Sequence, residues 1–128
     1  MKALLDTHVV LWWLFNDPKL SEKCKLLIGD PQVEILVSAA SGWEISTKHR
    51  LGKLPEAGDV ATELPRHLRQ ARFCVLPISL EHAHLAGSLP GPHRDPFDRM
   101  IMAQALVEGL SVVTSDPVFT DYSVPVIW

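Results

Sequence analysis

Short apolar runs alternating with stretches of helical length constrain this chain more than any other feature of it. Lys2-Ala-Leu-Leu-Asp6, Glu34-Ile-Leu-Val37, Cys74-Val-Leu76 and Ser111-Val-Val-Thr114 each read as a strand, and Val124 to Ile127 as a last short one. The segments between them read as helices. Val9 to Phe15 is stopped by Asn16-Asp17-Pro18. Ser21 caps a helix that ends at Gly29, and Ser38 to about Arg50 is ended by Gly52. Asp59 caps a helix running to about Arg72, with Pro65 as a kink or break. Ser79 caps Leu80 to about Leu89, and Asp95-Pro96 opens a helix that runs to about Glu108, with Gly109 as its stop. Strands alternating with helices predict an α/β sandwich around a mostly parallel sheet of four to five strands. With 128 residues and no internal repeat or linker, residues 1–128 form one domain.

Composition removes several classes. The chain is 47% hydrophobic and 21% charged, which argues against intrinsic disorder. Its longest apolar run, Val9 to Phe15, falls far short of the roughly 20 residues a membrane span needs. Asp6 and His8 precede that run and no small-residue cleavage site follows it, so no secretory signal is expected. Cys24 and Cys74 make neither a disulfide framework nor a zinc spacing, and a cytoplasmic protein with reduced thiols is the expectation. A net charge of −3 argues against a simple basic glove for nucleic acid. It does not exclude nucleic acid, because carboxylates that hold cations are not free repulsive charge. Between Lys48 and Arg72, six basic residues stand against three acidic ones, a solvated face or a surface for phosphates.

The acids carry the chemistry. Parallel sheets collect ligands at the carboxyl ends of their strands, and right-handed crossovers bring all those ends to one edge. Asp6 ends the first strand, Asp116 follows the Val112-Val113-Thr114 strand, and the helix bearing Asp98 starts after a loop, so these three converge. Glu44 lies on the helix after the second strand. Four carboxylates in one cleft repel one another unless cations sit among them. Oxygen ligands without paired cysteines or histidines suit Mg²⁺ or Mn²⁺ rather than zinc. Each acid also has a plain structural reading. Ser41-Gly-Trp-Glu44 fits a capping box, Asp95 fits an N-cap with Asp98 at N3, and Asp116-Pro117 fits a turn. Asp6, directly after Leu4-Leu5, has the weakest such reading. His8 and His93 lie near the cleft, where they could touch substrate, but a surface or packing role is the reading preferred for them. The four tryptophans are read as core or interface, with Trp12 or Trp13 the one at an interface.

Four strings, in order and at these spacings, resemble the PIN-domain ribonucleases, in particular the VapC-like toxins of toxin–antitoxin pairs. They are Leu4-Leu5-Asp6-Thr7-His8, Ser38 to Ile45, His93 to Ala105 and Val113-Thr-Ser-Asp116. The resemblance spans nearly the whole chain. It implies a PIN-like three-layer sandwich in which Asp6, Glu44, Asp98 and Asp116 form the catalytic and metal-binding acids. Thr7, Asp95, Thr114 and Ser115 are supporting positions, and Asp121 matches a distal acid only loosely. It further implies Mg²⁺ or Mn²⁺, an RNA substrate, a homodimer and a VapB-like antitoxin.

In such a site the acids hold metal that activates a water for phosphodiester hydrolysis, and Glu44 ligates or orients that water. Arg94 or Arg99 is expected to hold the substrate phosphate. Two other classes compete. One is a PIN-like module that binds RNA or a partner without turnover. The other is an aspartate-nucleophile phosphatase, which wants a second aspartate where this chain has His8 and a late lysine where none follows Arg99.

Overall fold

The computed structural model describes residues 1–128. The elements run β1 (Lys2–Leu5), α1 (Thr7–Leu14), α2 (Glu22–Gly29), β2 (Glu34–Ser38) and α3 (Ala39–Arg50). A 3₁₀ turn (Pro55–Ala57) precedes α4 (Gly58–Thr62) and α5 (Leu64–Gln70). Then follow β3 (Cys74–Leu76), α6 (Leu80–Ser88), α7 (Pro96–Glu108), β4 (Ser111–Val113), α8 (Val118–Asp121) and β5 (Val126–Ile127).

The five strands form one sheet in the order β3-β2-β1-β4-β5, and every neighbouring pair is parallel. The expected sandwich is therefore the observed one. Side chains alternate across each strand, so the two faces can be read directly. Ala3 and Leu5, Ile35 and Val37, and Val113 face one apolar layer, filled by Val9 and Val10 of α1, Ile45 of α3 and residues of α2, α4 and α5. Leu4, Leu36 and Val112 face the other, filled by Ile101, Met102 and Ala105 of α7 and by Phe119 of α8. Burial on both faces explains why the inner strands are apolar runs without alternation.

Several local signals form as expected. Ser21 accepts from the Cys24 N–H, Ser79 from the His82 N–H, and Asp95 from the N–H groups of Phe97 and Asp98. Gly109 ends α7 in the left-handed region at φ 67°. The break expected at Pro65 falls between α4 and α5. Asp59, expected as an N-cap, lies inside α4 instead, and its carboxylate ties Arg66 and His67 of α5 to that helix. A second difference bears on the site. Ser38, at the end of β2, caps α3 through the Ala40 N–H. The helix thus begins three residues earlier than a Ser41 cap requires, and Ser41 becomes an interior residue. Glu44 is thereby released from the capping box that the sequence offers.

Trp12 and Trp13 are both half-buried, against Trp128 and Phe73 respectively. The exposed tryptophan is Trp43, set edge-on to Phe97 with ring centres 4.8 Å apart. No helix is long and apolar enough to cross a membrane.

Candidate active site

β1 is the point where the strand order reverses: β2 and β3 lie on one side of it, β4 and β5 on the other. A crevice opens above such a strand because the flanking connections leave in opposite directions. Asp6 is the residue that follows β1. The register pairs Leu5 with both Val37 and Val113, so Asp6, Ser38 and Thr114 stand level on the carboxyl edge.

Asp6 is the N-cap of α1 by backbone position, yet its carboxylate makes no capping bond. It is 4% exposed and accepts a hydrogen bond from the Thr114 hydroxyl at 2.8 Å. The same hydroxyl accepts from the Asp116 N–H at 3.0 Å, so Thr114 connects the two acids. The Thr7 side chain does not bond to the carboxylates. Its hydroxyl bonds to that of the buried Ser41 at 2.8 Å and holds α1 against α3.

That contact fixes the face of α3 that Glu44 occupies. Glu44 is 3% exposed; one oxygen binds the Lys48 ammonium, one turn on, and the other, Oε1, is buried without any partner. Asp98 sits in the first turn of α7 with its Oδ2 at 2.9 Å from His93 Nε2. Asp95 is the N-cap below it. The Tyr122 hydroxyl accepts from the His93 N–H at 2.9 Å and so holds the loop from which His93 reaches Asp98. Gly91 in that loop has φ 125°, and a Cβ there would stand 2.4 Å from the Tyr122 hydroxyl. Only glycine fits.

The charges of these acids feel one another. Burial pushes the Asp98 carboxyl up to about 6; the carboxylates of Asp95, Asp6 and Glu44 push it the same way, and the hydrogen bond from His93 opposes them. Burial also raises Asp6, with Glu44 adding to the effect and Thr114 and His8 opposing it. Burial alone would lower the Lys48 pKa, but Glu44, Asp95 and Asp98 outweigh it and hold the ammonium above its ordinary value. Asp6, Glu44, Asp95 and Asp98 thus make one cluster. Asp116 stands at its rim: it is exposed, and its Oδ1 accepts from the Val118 N–H at 3.0 Å. Ser115 and Asp121 are exposed as well.

The two arginines part company. Arg94 is exposed beside Trp43 and Phe97. Arg99 does not reach toward the acids as the sequence suggests. Its guanidinium donates to the carbonyl oxygens of Ala86, His93 and Leu89, and its charge lies over the Tyr122 ring. It clamps the end of α6 and the following loop to α7. Arg99→Met is therefore expected to destabilise the fold by on the order of 3 kcal/mol in urea unfolding, since it leaves three carbonyls unpaired. A loss below about 1 kcal/mol would mean that these bonds do not hold the loop.

Sequence reasoning missed the roles of Lys48, His93 and Tyr122. The first was legible: Glu44 and Lys48 are four residues apart on one helix. His93 was seen beside the cleft but not as the partner of Asp98. Nothing in the sequence points to Tyr122.

The residues present suit a hard divalent cation. Their donors are carboxylate oxygens, their mutual repulsion calls for a positive charge, and the buried Glu44 Oε1 lacks any partner. No three acidic, histidine or cysteine side chains already surround one point. Each acid instead has a protein partner: Thr114 for Asp6, Lys48 for Glu44, His93 for Asp98.

A parallel α/β sandwich with buried carboxylates gathered at its switch point defines an acidic-cleft α/β domain. The chain belongs to the PIN domain family, whose profile matches residues 3–125. It is 31% identical to the ribonuclease VapC22 of Mycobacterium tuberculosis over 117 residues, covering 89% of this chain and 86% of that one. A second relative from the same organism, the ribonuclease VapC16, is 42% identical over 62 residues. That match spans 48% of this chain and 43% of the relative, so less than half of VapC16 is represented. Among solved structures, VapBC2 from Rickettsia felis bound to a DNA fragment from their promoter superposes with a TM-score of 0.70 at 16% identity, covering 99% of this chain and 98% of that one. FitAcB from Neisseria gonorrhoeae superposes with a TM-score of 0.66 at 24% identity, covering 100% and 97%. These two share the fold.

Proposed function

We propose that this protein is a metal-dependent endoribonuclease of the VapC-like toxin type. The observation that carries the reading is the mutual repulsion of Asp6, Glu44 and Asp98, with Asp6 and Glu44 buried and one Glu44 oxygen unpartnered. Membership of the PIN family and the ribonuclease names of VapC22 and VapC16 support it. Asp6, Glu44 and Asp98 would hold Mg²⁺ or Mn²⁺, with Asp116 at the rim. Such a cation supplies an activated water and neutralises charge building on a phosphate.

The chain's own groups do the rest. Thr114 holds the Asp6 carboxylate against burial. His93, steadied by Tyr122, fixes the rotamer of Asp98. Asp95 caps α7 and so sets where Asp98 stands. Glu44 keeps one oxygen free for a water or ligand. Arg94, exposed beside Trp43 and Phe97, is the one of the two arginines left to meet a substrate phosphate. A VapB-like antitoxin, a homodimer and a cytoplasmic location belong to the same reading. VapBC and FitAcB assemblies among the structural neighbours support the antitoxin.

The test is cleavage of total RNA by the purified protein with Mn²⁺ or Mg²⁺, and with EDTA. Cutting that needs the metal is the expected result. RNA bound equally well in EDTA and never cut would overturn turnover in favour of sequestration.

A further inference from the structure

Glu44 and Lys48 make an unusual pair for residues one helical turn apart. Such pairs ordinarily sit with both ends in water, on the outer face of a helix. Here the carboxylate end is 4% exposed by side chain and the ammonium end 35%. Lys48 pairs with Glu44, and the charges of Asp95 and Asp98 act on its ammonium as well. It is an ammonium paired with one member of a group of acids that would otherwise repel one another. Yet it satisfies Glu44 at one oxygen only and leaves Oε1 bare.

The ammonium also has somewhere else to go. Lys48 lines a wide groove with His8, Lys53 and Glu56, on the outer side of α1 and α3. Lysine is a compact charge on a flexible four-carbon stem, so it can move between a buried carboxylate and this groove without moving the helix. An arginine, rigid and forked, is less able to leave.

We infer that Lys48 is the resident counter-ion of the acid cluster, and that a divalent cation binds the cluster in competition with it. The inference rests on the metal-dependent reading above and deepens it: the acid site is kept stable without metal by a side chain that metal must displace. Two cations drawn to one carboxylate cluster weaken each other's binding, and the effect is reciprocal.

The test is a calorimetric Mn²⁺ titration of the full chain, with thermal melts in EDTA. Lys48→Met is expected to bind Mn²⁺ roughly tenfold more tightly than wild type, within the range usual for coupled sites. It is also expected to melt lower in EDTA, with Mn²⁺ closing the gap. Lys48→Arg, which keeps the charge, should bind Mn²⁺ no more tightly than wild type. A lysine that served only to hold α3 would lower the melt without tightening Mn²⁺ binding. Should Lys48→Met fail to fold in EDTA, Lys48→Gln carries the same titration. Mn²⁺ binding by wild type with equal or weaker binding by the neutral variant overturns this inference alone. No Mn²⁺ binding by either protein overturns the metal reading, and the inference with it.

Discussion

Asp6→Asn is expected to abolish RNA cleavage while leaving the fold in place. Asn keeps an oxygen for the Thr114 hydroxyl, so the bond across the carboxyl edge survives. What disappears is a negative charge at the switch point of the sheet, on an acid whose carboxylate caps no helix and whose hydrogen bond to Thr114 an amide oxygen can keep. The loss of activity should exceed the roughly 10–100-fold that follows removal of a group which merely supports a ligand. Initial rates on the cleaved RNA, measured beside wild type at saturating Mn²⁺, give the number. A thermal melt on the same samples shows whether the variant is folded. Cleavage within tenfold of wild type by a folded Asp6→Asn protein would remove Asp6 from the chemistry.

Asp98→Asn should do something less ordinary: lose activity and gain stability. The Asp98 carboxyl titrates at about 6 in the folded protein and near 3.8 when unfolded. The folded state therefore holds the extra proton. The contribution of this group to stability is fully present below the unfolded value and is lost as pH rises through about 6. At pH 7, without metal, the ionised carboxylate works against the fold. With residual screening allowed for, the cost is about 2 kcal/mol. Replacing it with a neutral amide of the same shape removes that cost. In EDTA at pH 7 the variant should melt several degrees higher than wild type, and the difference should shrink on acidification from pH 6 to pH 4. Mn²⁺ should raise the melting temperature of wild type more than that of the variant. A variant that melts lower than wild type at pH 7 would show that the His93 bond outweighs the repulsion.

Much of this arrangement was legible in the sequence, for physical reasons that can be named. The inner strands are continuous apolar runs because both faces of the sheet are covered. Asp95-Pro96 announces a helix start because a side-chain acceptor and a residue without an N–H both suit that position. Asp6 stood out because a carboxylate directly after a buried strand is costly unless something binds it. Other parts were not legible. Ser38 and Ser41 are both plausible caps for the same helix, and the end of β2 decides between them. Arg99 follows Asp98 in sequence, but adjacent helical residues point in different directions, and it turns away to the end of α6. Asp116 converges on the expected edge, yet its local turn takes up one of its oxygens. Tyr122 comes from a segment that offers only a turn in sequence, and its contact spans 29 positions.

The bond between Thr114 and Asp6 joins residues 108 positions apart. During synthesis, β1 leaves the ribosome early, but the strand that completes its other side, β4, is among the last to appear. Until it does, β1 has an open edge and Asp6 lacks its hydroxyl partner. Long-range pairing of this kind is slow to form, because the loop must close before its contacts are gained. A chain that ends before Ser111 lacks both the β4 edge and the Thr114 hydroxyl, so it cannot hold the finished site. The acid cluster is therefore complete only once the chain is nearly whole, because its last supporting hydroxyl arrives with β4.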